Sequence, residues 1–469
     1  MIKHIIIFIA LIFSLKAEND YNVLFIAVDD LRPELGCYGA DYAQSPVLDS
    51  FAKEAILFDR HYVQVPTCGA SRFALLTGRS PFYSGAKGNA ALYSGKTALD
   101  PNHSASAQSL PEAFKRSGYK TACIGKISHQ PDGRVFAYNG KGDGKHELPN
   151  AWDELPTPFG AWKRGWGTFF AYEGGRHRED GKKNKDLMEF TAVKDTDLPD
   201  GLMADSAIEQ LKKWKNERFF IGLGFYKPHL PFVAPKQDWD AFEGKEIPNP
   251  PNMNKPKFNF HGSGEFYKYN APFEKKKPLS QDSLTKSRRA YLACVRYIDR
   301  QIGKVLQELK KLGLDKNTIV VVWGDHGWFL GDMQMWGKHS PFEEANRSVL
   351  MIKVPGAKAS KSSAMVETID LYPTLLDYCN VKDKKTRYRL DGTSLRPIID
   401  GKSSSVKDAA LSYWGGNISL RTSSHRMIIS SKGNKVQLYK MDGHFTTSEN
   451  IAESSPEIVK KLKKLLPKK

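Results

Sequence analysis

The sequence predicts an α/β fold: a large, mostly parallel sheet sandwiched by helices, then a smaller C-terminal antiparallel sheet with a terminal helix. Three observations carry that reading. Residues 22–28, 219–225 and 318–323 are apolar runs without polar alternation, the pattern of central strands buried on both faces. Helical patterns separate such runs through about residue 380, which argues for crossover connections within a parallel sheet. Beyond about residue 400 the texture changes: 412–439 alternates strand-like segments with polar turns, and 456–465 is amphipathic.

At 469 residues the chain can bury a large core, and 40% hydrophobic with 11% aromatic residues excludes wholesale disorder. Three parts are expected: a signal peptide over 1–17, the main α/β domain over 18–400 and a C-terminal subdomain over 401–469. Lys3 and His4, the apolar run 5–15 and the small residue Ala17 make the leader. An uncleaved N-terminal anchor is the alternative. No later stretch is long and apolar enough for an integral membrane span, so a protein exported to the periplasm or beyond is expected. Five cysteines, an odd number, leave at least one unpaired, and none has zinc-site spacing. The formal net charge of +18 suits a polyanionic partner. Export and the lack of any binding motif argue against nucleic acid, which leaves sulfated or carboxylated polysaccharide.

Taken in order, the strand at 22–28 ends in Asp29-Asp30, and ligands of open α/β sheets gather at the carboxyl ends of strands. Residues 45–55 read as a capped helix. Cys68 and Arg72 lie four apart before the apolar run 73–76. If 71–77 is helical, Cys68 sits at or just before its N-terminus, where free N–H groups and the helix dipole favour negative charge. The plainer reading is a buried free cysteine beside a surface arginine. A short helix at 109–117 leads to a strand at 118–124, then Gly125-Lys126 and His129. Residues 130–200 and 245–282 are expected to be loops, the first a candidate substrate wall. A helix at 204–214 precedes the strand 219–225, which ends near Lys227 and His229. The longest helical pattern, 283–312, stops at Gly313. The strand 318–323 ends at Asp325-His326, and 350–354 is one more strand.

Four strand ends therefore carry reactive residues: Asp29 and Asp30; Lys126 with His129; His229; Asp325 and His326. Three carboxylates on one rim repel each other unless a cation lies among them, and a hard divalent ion such as calcium or magnesium answers to oxygen ligands. A turn or helix cap is the plainer role for any single aspartate.

With these residues in place, the chain resembles the type I, formylglycine-dependent sulfatases of the alkaline phosphatase superfamily. The motifs are Val28-Asp29-Asp30, Cys68-Gly69-Ala70-Ser71-Arg72 with Leu76-Thr77-Gly78-Arg79, the segment 118–126, Asp325-His326-Gly327 and Lys338. Asp29-Asp30-Leu31-Arg32-Pro33, Gly36-Cys37-Tyr38-Gly39, Lys227-Pro228-His229 and Asp325-His326-Gly327-Trp328 resemble the iduronate-2-sulfatase branch. The resemblance implies that Cys68 is oxidised to formylglycine, whose hydrated aldehyde is the nucleophile. It implies that Asp29, Asp30, Asp325 and His326, with the oxygen at position 68, hold Ca2+ (or Mg2+). It implies that Arg72 orients the diol and that Lys126 and Lys338 grip the sulfate. His129 fits a base and His229 an acid, on the premise of exposed imidazoles that titrate near neutrality, and the two roles can be exchanged. Lys227 and Trp328 are candidates for the pocket wall, or else a solvated lysine and a core indole. The family's maturation motif usually has proline two residues after the cysteine; here it is Ala70, so which maturation enzyme acts, formylglycine-generating or anaerobic, is open. The expected activity is release of sulfate from a sulfated saccharide, with a 2-O-sulfate as the position the branch implies. The alternatives are a phosphonate or phosphate monoester hydrolase of the same superfamily, and an unmatured, carbohydrate-binding relative. Cys68 and Arg72 both belong to the site on this reading, so replacing either should leave the fold intact.

Overall fold

The computed structural model describes residues 21–468 except 182–183, 255, 257–263, 271–277, 383–385 and 448. The leader expected over 1–17 lies outside the described residues. Seven strands make the main sheet: Asn22–Val28 (β1), Ile56–Tyr62 (β2), Lys120–Gly125 (β3), Phe219–Phe225 (β4), Thr318–Gly324 (β5), Leu350–Lys353 (β6) and Ser360–Glu367 (β7). Their order across the sheet is β7-β2-β6-β5-β1-β4-β3. All neighbours are parallel except β6, which runs antiparallel to both β2 and β5.

β1 shows why the apolar runs do not alternate. Leu24, Ile26 and Val28 enter one hydrophobic layer, and Val23, Phe25 and Ala27 enter the other. The first layer packs under the helices Pro199–Lys213 and Gln281–Lys311; the second packs under Cys68–Thr77, Leu110–Arg116 and Leu371–Tyr378. With water excluded from both faces, every residue of β1 is buried. In chain order we label these helices Cys68–Thr77 (α1), Leu110–Arg116 (α2), Pro199–Lys213 (α3), Gln281–Lys311 (α4) and Leu371–Tyr378 (α5). In α4 the Ser280 hydroxyl accepts from the Ser283 N–H at the start, and Gly313 follows the end at φ +70°.

The C-terminal sheet is antiparallel, from Ala410–Trp414 (β8), Asn417–Arg421 (β9), His425–Ser430 (β10), Val436–Asp442 (β11) and Phe445–Thr446 (β12), and the helix Pro456–Lys463 (α6) lies beyond it.

Several boundaries differ from the sequence reading. β2 and β7 were not expected. β2 reads as Asp-Arg-His in its second half, yet Asp59 pairs with Arg347 at 2.9 Å and the buried His61 meets Thr368 Oγ1 at 2.9 Å, so its polar groups are satisfied inside. β7 begins with exposed serines and lysine and is apolar only toward its end. α3 starts at Pro199 rather than 204, because proline suits the first helical turn. The loop expected over 130–200 contains a short helix, Gly165–Phe169. Among the described residues no helix is long and apolar enough to cross a membrane, and all five cysteines are free thiols.

Candidate active site

The parallel order β5-β1-β4-β3 sets four carboxyl ends side by side. β1 delivers Asp29 and Asp30, β5 delivers Asp325 and His326, β3 delivers Lys126, and the turn after β4 delivers His229. Cys68 is the first residue of α1, so the helix starts three residues before the 71 that the sequence suggested. The helix is capped from outside: Asn89 Oδ1 accepts from the Gly69 N–H and from the Thr67 hydroxyl, both at 3.0 Å. That cap requires a close approach, since a Cβ at Gly69 would lie 2.2 Å from Asn89 Cα. Ser71 fastens the same turn to the sheet by donating to the Asp325 carbonyl at 2.5 Å.

Cys68 Sγ lies 3.2 Å from Asp29 Oδ1, 3.3 Å from His326 Nε2 and 3.4 Å from Lys338 Nζ. The donor atoms of Asp29, Asp30, Cys68 and His326 all fall within 4.8 Å of one another. Asp325 stands behind them: its Oδ1 accepts the Asp30 N–H at 3.0 Å and its Oδ2 accepts from Arg72 Nε at 3.0 Å. Arg72 is fully buried, not a surface arginine, and donates also to the Lys126 and Ile127 carbonyls. Lys126 bonds to Asp29 and sits 4.1 Å over the Phe169 ring, and Lys338 donates to Asp30 Oδ1 at 2.7 Å.

The cluster suits a divalent cation on three grounds. Asp30 Oδ2 is buried without a hydrogen-bond partner. Burial raises the Asp30 carboxyl well above its usual range; Lys338 only partly offsets this, and Asp29 and Asp325 add to it. His326 Nδ1 faces the Gly327 carbonyl at 3.0 Å and so carries the hydrogen, which leaves the Nε2 lone pair 3.3 Å from Asp30 Oδ1. Burial also lowers His326 to about 4, so near neutral pH its Nε2 offers a free lone pair to the cluster.

Two electrostatic expectations are corrected. Burial, with Asp29 next in size, pushes the Cys68 thiol well above its usual range, so the helix N-terminus does not yield a thiolate. His129 and His229 are not exposed: they keep 7% and 4% of their surface, and burial lowers both well below the usual imidazole range. His129 Nδ1 has no partner, and its backbone N–H is held by Glu147. His229 Nδ1 faces the Leu230 carbonyl at 2.7 Å, which turns Nε2 towards the cleft.

Cys68, Lys126, His129, His229 and Lys338 line one cleft of about 510 Å3. Its outer wall comes from the loops before α3 and α4, including Tyr138, Phe170, Arg178 and Tyr269. Lys227 and Trp328 are not part of that wall. The Lys227 ammonium is buried and donates to the His229 and Pro231 carbonyls at 2.9 and 2.7 Å, so it holds the turn that presents His229. Trp328 is fully buried beneath Lys338, whose ammonium lies 5.1 Å from the ring. Sequence reasoning missed Glu265, which lies 3.4 Å from His229 Nε2 and 3.7 Å from Lys338 Nζ. It sits in a loop with no periodicity or motif, so no signal marked it.

The mostly parallel sheet, with a buried cysteine, carboxylates, lysines and histidines at its carboxyl rim, has the fold of the alkaline-phosphatase-like class. The sulfatase family model matches residues 21–381, and the chain belongs to the sulfatase family of sulfuric ester hydrolases. It is 32% identical to the iduronate 2-sulfatase of Mus musculus over 74% of this chain and 62% of that protein. It is 31% identical to a sulfatase of Formosa agariphila over 97% of this chain and 87% of the relative. The fold is shared with a phosphonate monoester hydrolase of Silicibacter pomeroyi (TM-score 0.72, 23% identity, 95% of this chain and 93% of that one). It is shared also with BT4656, solved in complex with D-glucosamine-2-N,6-O-disulfate (TM-score 0.72, 21% identity, 96% and 97%).

Proposed function

We propose that this protein hydrolyses sulfate esters of a sulfated carbohydrate, using a formylglycine made from Cys68, and that a 2-O-sulfate is its target. The observation that supports this most is the seating of Cys68 at the first position of α1, within 3.4 Å of a carboxylate, an imidazole and an ammonium group. The 32% identity to an iduronate 2-sulfatase and the charge of +18 support a polyanionic sugar.

A buried neutral thiol is a poor nucleophile but a sound precursor. As formylglycine, the residue would supply a hydrated aldehyde whose hydroxyl attacks sulfur and which frees sulfate by re-forming its carbonyl, an exit that a plain serine lacks. Asp29, Asp30, Asp325 and His326 would hold a calcium or magnesium ion, which would supply positive charge against the ester's sulfate oxygens. Around it, Arg72 steadies Asp325 and lies 3.9 Å from Asp29 Oδ1, the carboxylate oxygen that faces the nucleophile's position. Lys126 and Lys338 offer ammonium donors where negative charge develops. His129 has Nδ1 unbonded, and His229, whose Nδ1 carries the hydrogen towards the Leu230 carbonyl, presents its Nε2 lone pair, so both rest as bases. His229 serves as the acid for the leaving alcohol only after it takes a proton at Nε2, which Glu265 at 3.4 Å favours. Phosphonate monoester hydrolysis is the second reading, favoured by the shared fold.

Mass spectrometry of the peptide around Cys68, from protein made in its native host, tests the nucleophile: conversion lowers the mass by roughly 18 Da. An intact thiol in active protein would refute the mechanism, and its retention in inactive protein would favour a binding role. Faster release from aryl phosphonate or phosphate esters than from the matched aryl sulfate would favour the second reading. The same peptide shows whether maturation tolerates Ala70. The leader at 1–17 supports export.

A further inference from the structure

A second concavity, of about 320 Å3, lies beside the cleft and shares Trp166 with it. The Trp166 indole donates to the Phe136 carbonyl at 2.8 Å and meets Tyr138 edge-on at 4.5 Å. Residues 136–140 therefore form a thin partition, with Tyr138 facing the cleft and Phe136 and Gly140 facing the second pocket. Three cations line that pocket: Arg134, Lys163 and Arg164. The pocket's acid, Asp132, is already paired with Arg134 at 3.0 Å. Among the described residues Lys163 and Arg164 have no ionic partner. The Arg164 guanidinium lies against Gly140: a Cβ there would come within 2.6 Å of its Nη1, and Gly140 has φ +81°. Two rings, Phe136 and Phe159, complete the wall.

Uncommitted cations beside aromatic faces recognise an anionic group on a sugar ring: guanidinium and ammonium donors take the anion, and the rings cover the apolar face of the saccharide. We propose that this pocket is a second anion-binding subsite, taking a sulfate or carboxylate on a sugar unit other than the one hydrolysed. The protein then acts on anionic oligosaccharide chains in preference to single sugars. The proposal rests on the sulfatase reading for its kinetic arm only.

The test compares wild type with a Lys163→Ala/Arg164→Ala double variant and with the size-conserving pair Lys163→Met/Arg164→Gln. Substrates are an aryl sulfate, a sulfated uronate-containing disaccharide, the corresponding tetrasaccharide and its carboxyl-reduced form. Loss of charge-assisted bonds should raise KM for the tetrasaccharide about tenfold in both variants, with the aryl sulfate, which has no second sugar unit, unchanged. Calorimetric binding of the tetrasaccharide should weaken by the same factor. Equal losses on all substrates, or none on the tetrasaccharide, would overturn the proposal. If the carboxyl-reduced tetrasaccharide is insensitive to the variants, the anion read is a carboxylate; if it responds fully, it is a sulfate. Absence of aryl sulfate turnover in matured wild type would overturn the sulfatase reading instead, and the calorimetric arm would still decide the subsite.

Discussion

At the scale of single residues, Cys68 and Arg72 look alike in sequence but are held differently. Cys68 contributes a small buried thiol, and Cys68→Ala removes little volume. Turnover should vanish with the melting temperature nearly unchanged. Arg72 is fully buried, bonded to Asp325 and to two backbone carbonyls. Removing it strands the buried Asp325 carboxylate, which typically costs about 3–5 kcal/mol. The expectation that both replacements leave the fold intact is therefore kept for Cys68 and revised for Arg72. Urea denaturation of the two alanine variants, alongside activity, checks this; an Arg72→Ala protein as stable as wild type would show that the ion pair carries no net weight. Residue identity also limited what could be read beforehand. Asp29, Asp30 and Asp325 were legible because each directly follows an apolar strand. Glu265 was not, because its position at the site depends on how a loop folds over the rim.

At the scale of elements, the strands buried on both faces announced themselves, and α1 did so through its apolar run. β2 did not, because Asp59, Arg60 and His61 look like solvent-facing residues until Arg347, Ser348 and Thr368 are seen to meet the buried ones. Periodicity reports burial only where the partners are apolar. The junction of β2 and α1 is where the site is most sensitive to backbone placement. Gly69 has an ordinary helical conformation, so its requirement is space: Asn89 backbone atoms lie 2.2 to 2.6 Å from where a Cβ would be. Gly69→Ala must push apart α1 and the segment that caps it, which moves Cys68 away from Asp29 and His326. A displacement near 1 Å at reacting groups can cost about a hundredfold in rate. Gly69→Ala should therefore lower kcat by about that factor in fully matured protein, measured with an aryl sulfate. Activity within twofold of wild type would show that the cap can shift without cost.

At the scale of the whole molecule, the C-terminal sheet is more than an appendage, because it backs the segment that carries Lys338. Ser419 donates to the Pro341 carbonyl at 2.7 Å, and the Trp414 ring stacks on His339 at 4.5 Å. The main tie is Glu343, fully buried, which accepts from Tyr62 of β2 at 2.8 Å and from Arg421 of β9 at 3.0 Å, and bonds to Arg426 of β10. Burial alone would raise this carboxyl, but Arg421, then Arg426 and Arg347, outweigh it and hold it at about 2. The sign of the pH dependence follows. A carboxyl depressed in the folded state adds stability at pH values above its unfolded value of about 4.3, and that stability is lost as pH falls towards about 2. Glu343→Gln keeps the shape but leaves two buried guanidinium groups without their counter-charge, a loss of about 3–5 kcal/mol at neutral pH. The gap between wild type and variant should narrow as pH drops from about 5 to 2, in urea unfolding followed at each pH. A gap that stays constant over that range would show that the carboxylate charge does not join the two sheets. Because Lys338 lies on the segment that Glu343 anchors to Arg421 and Arg426, the variant's loss of kcat at neutral pH should exceed what its unfolded fraction explains. Equality of the two would make the C-terminal sheet a stabilising element only, with no part in placing Lys338 against Asp30.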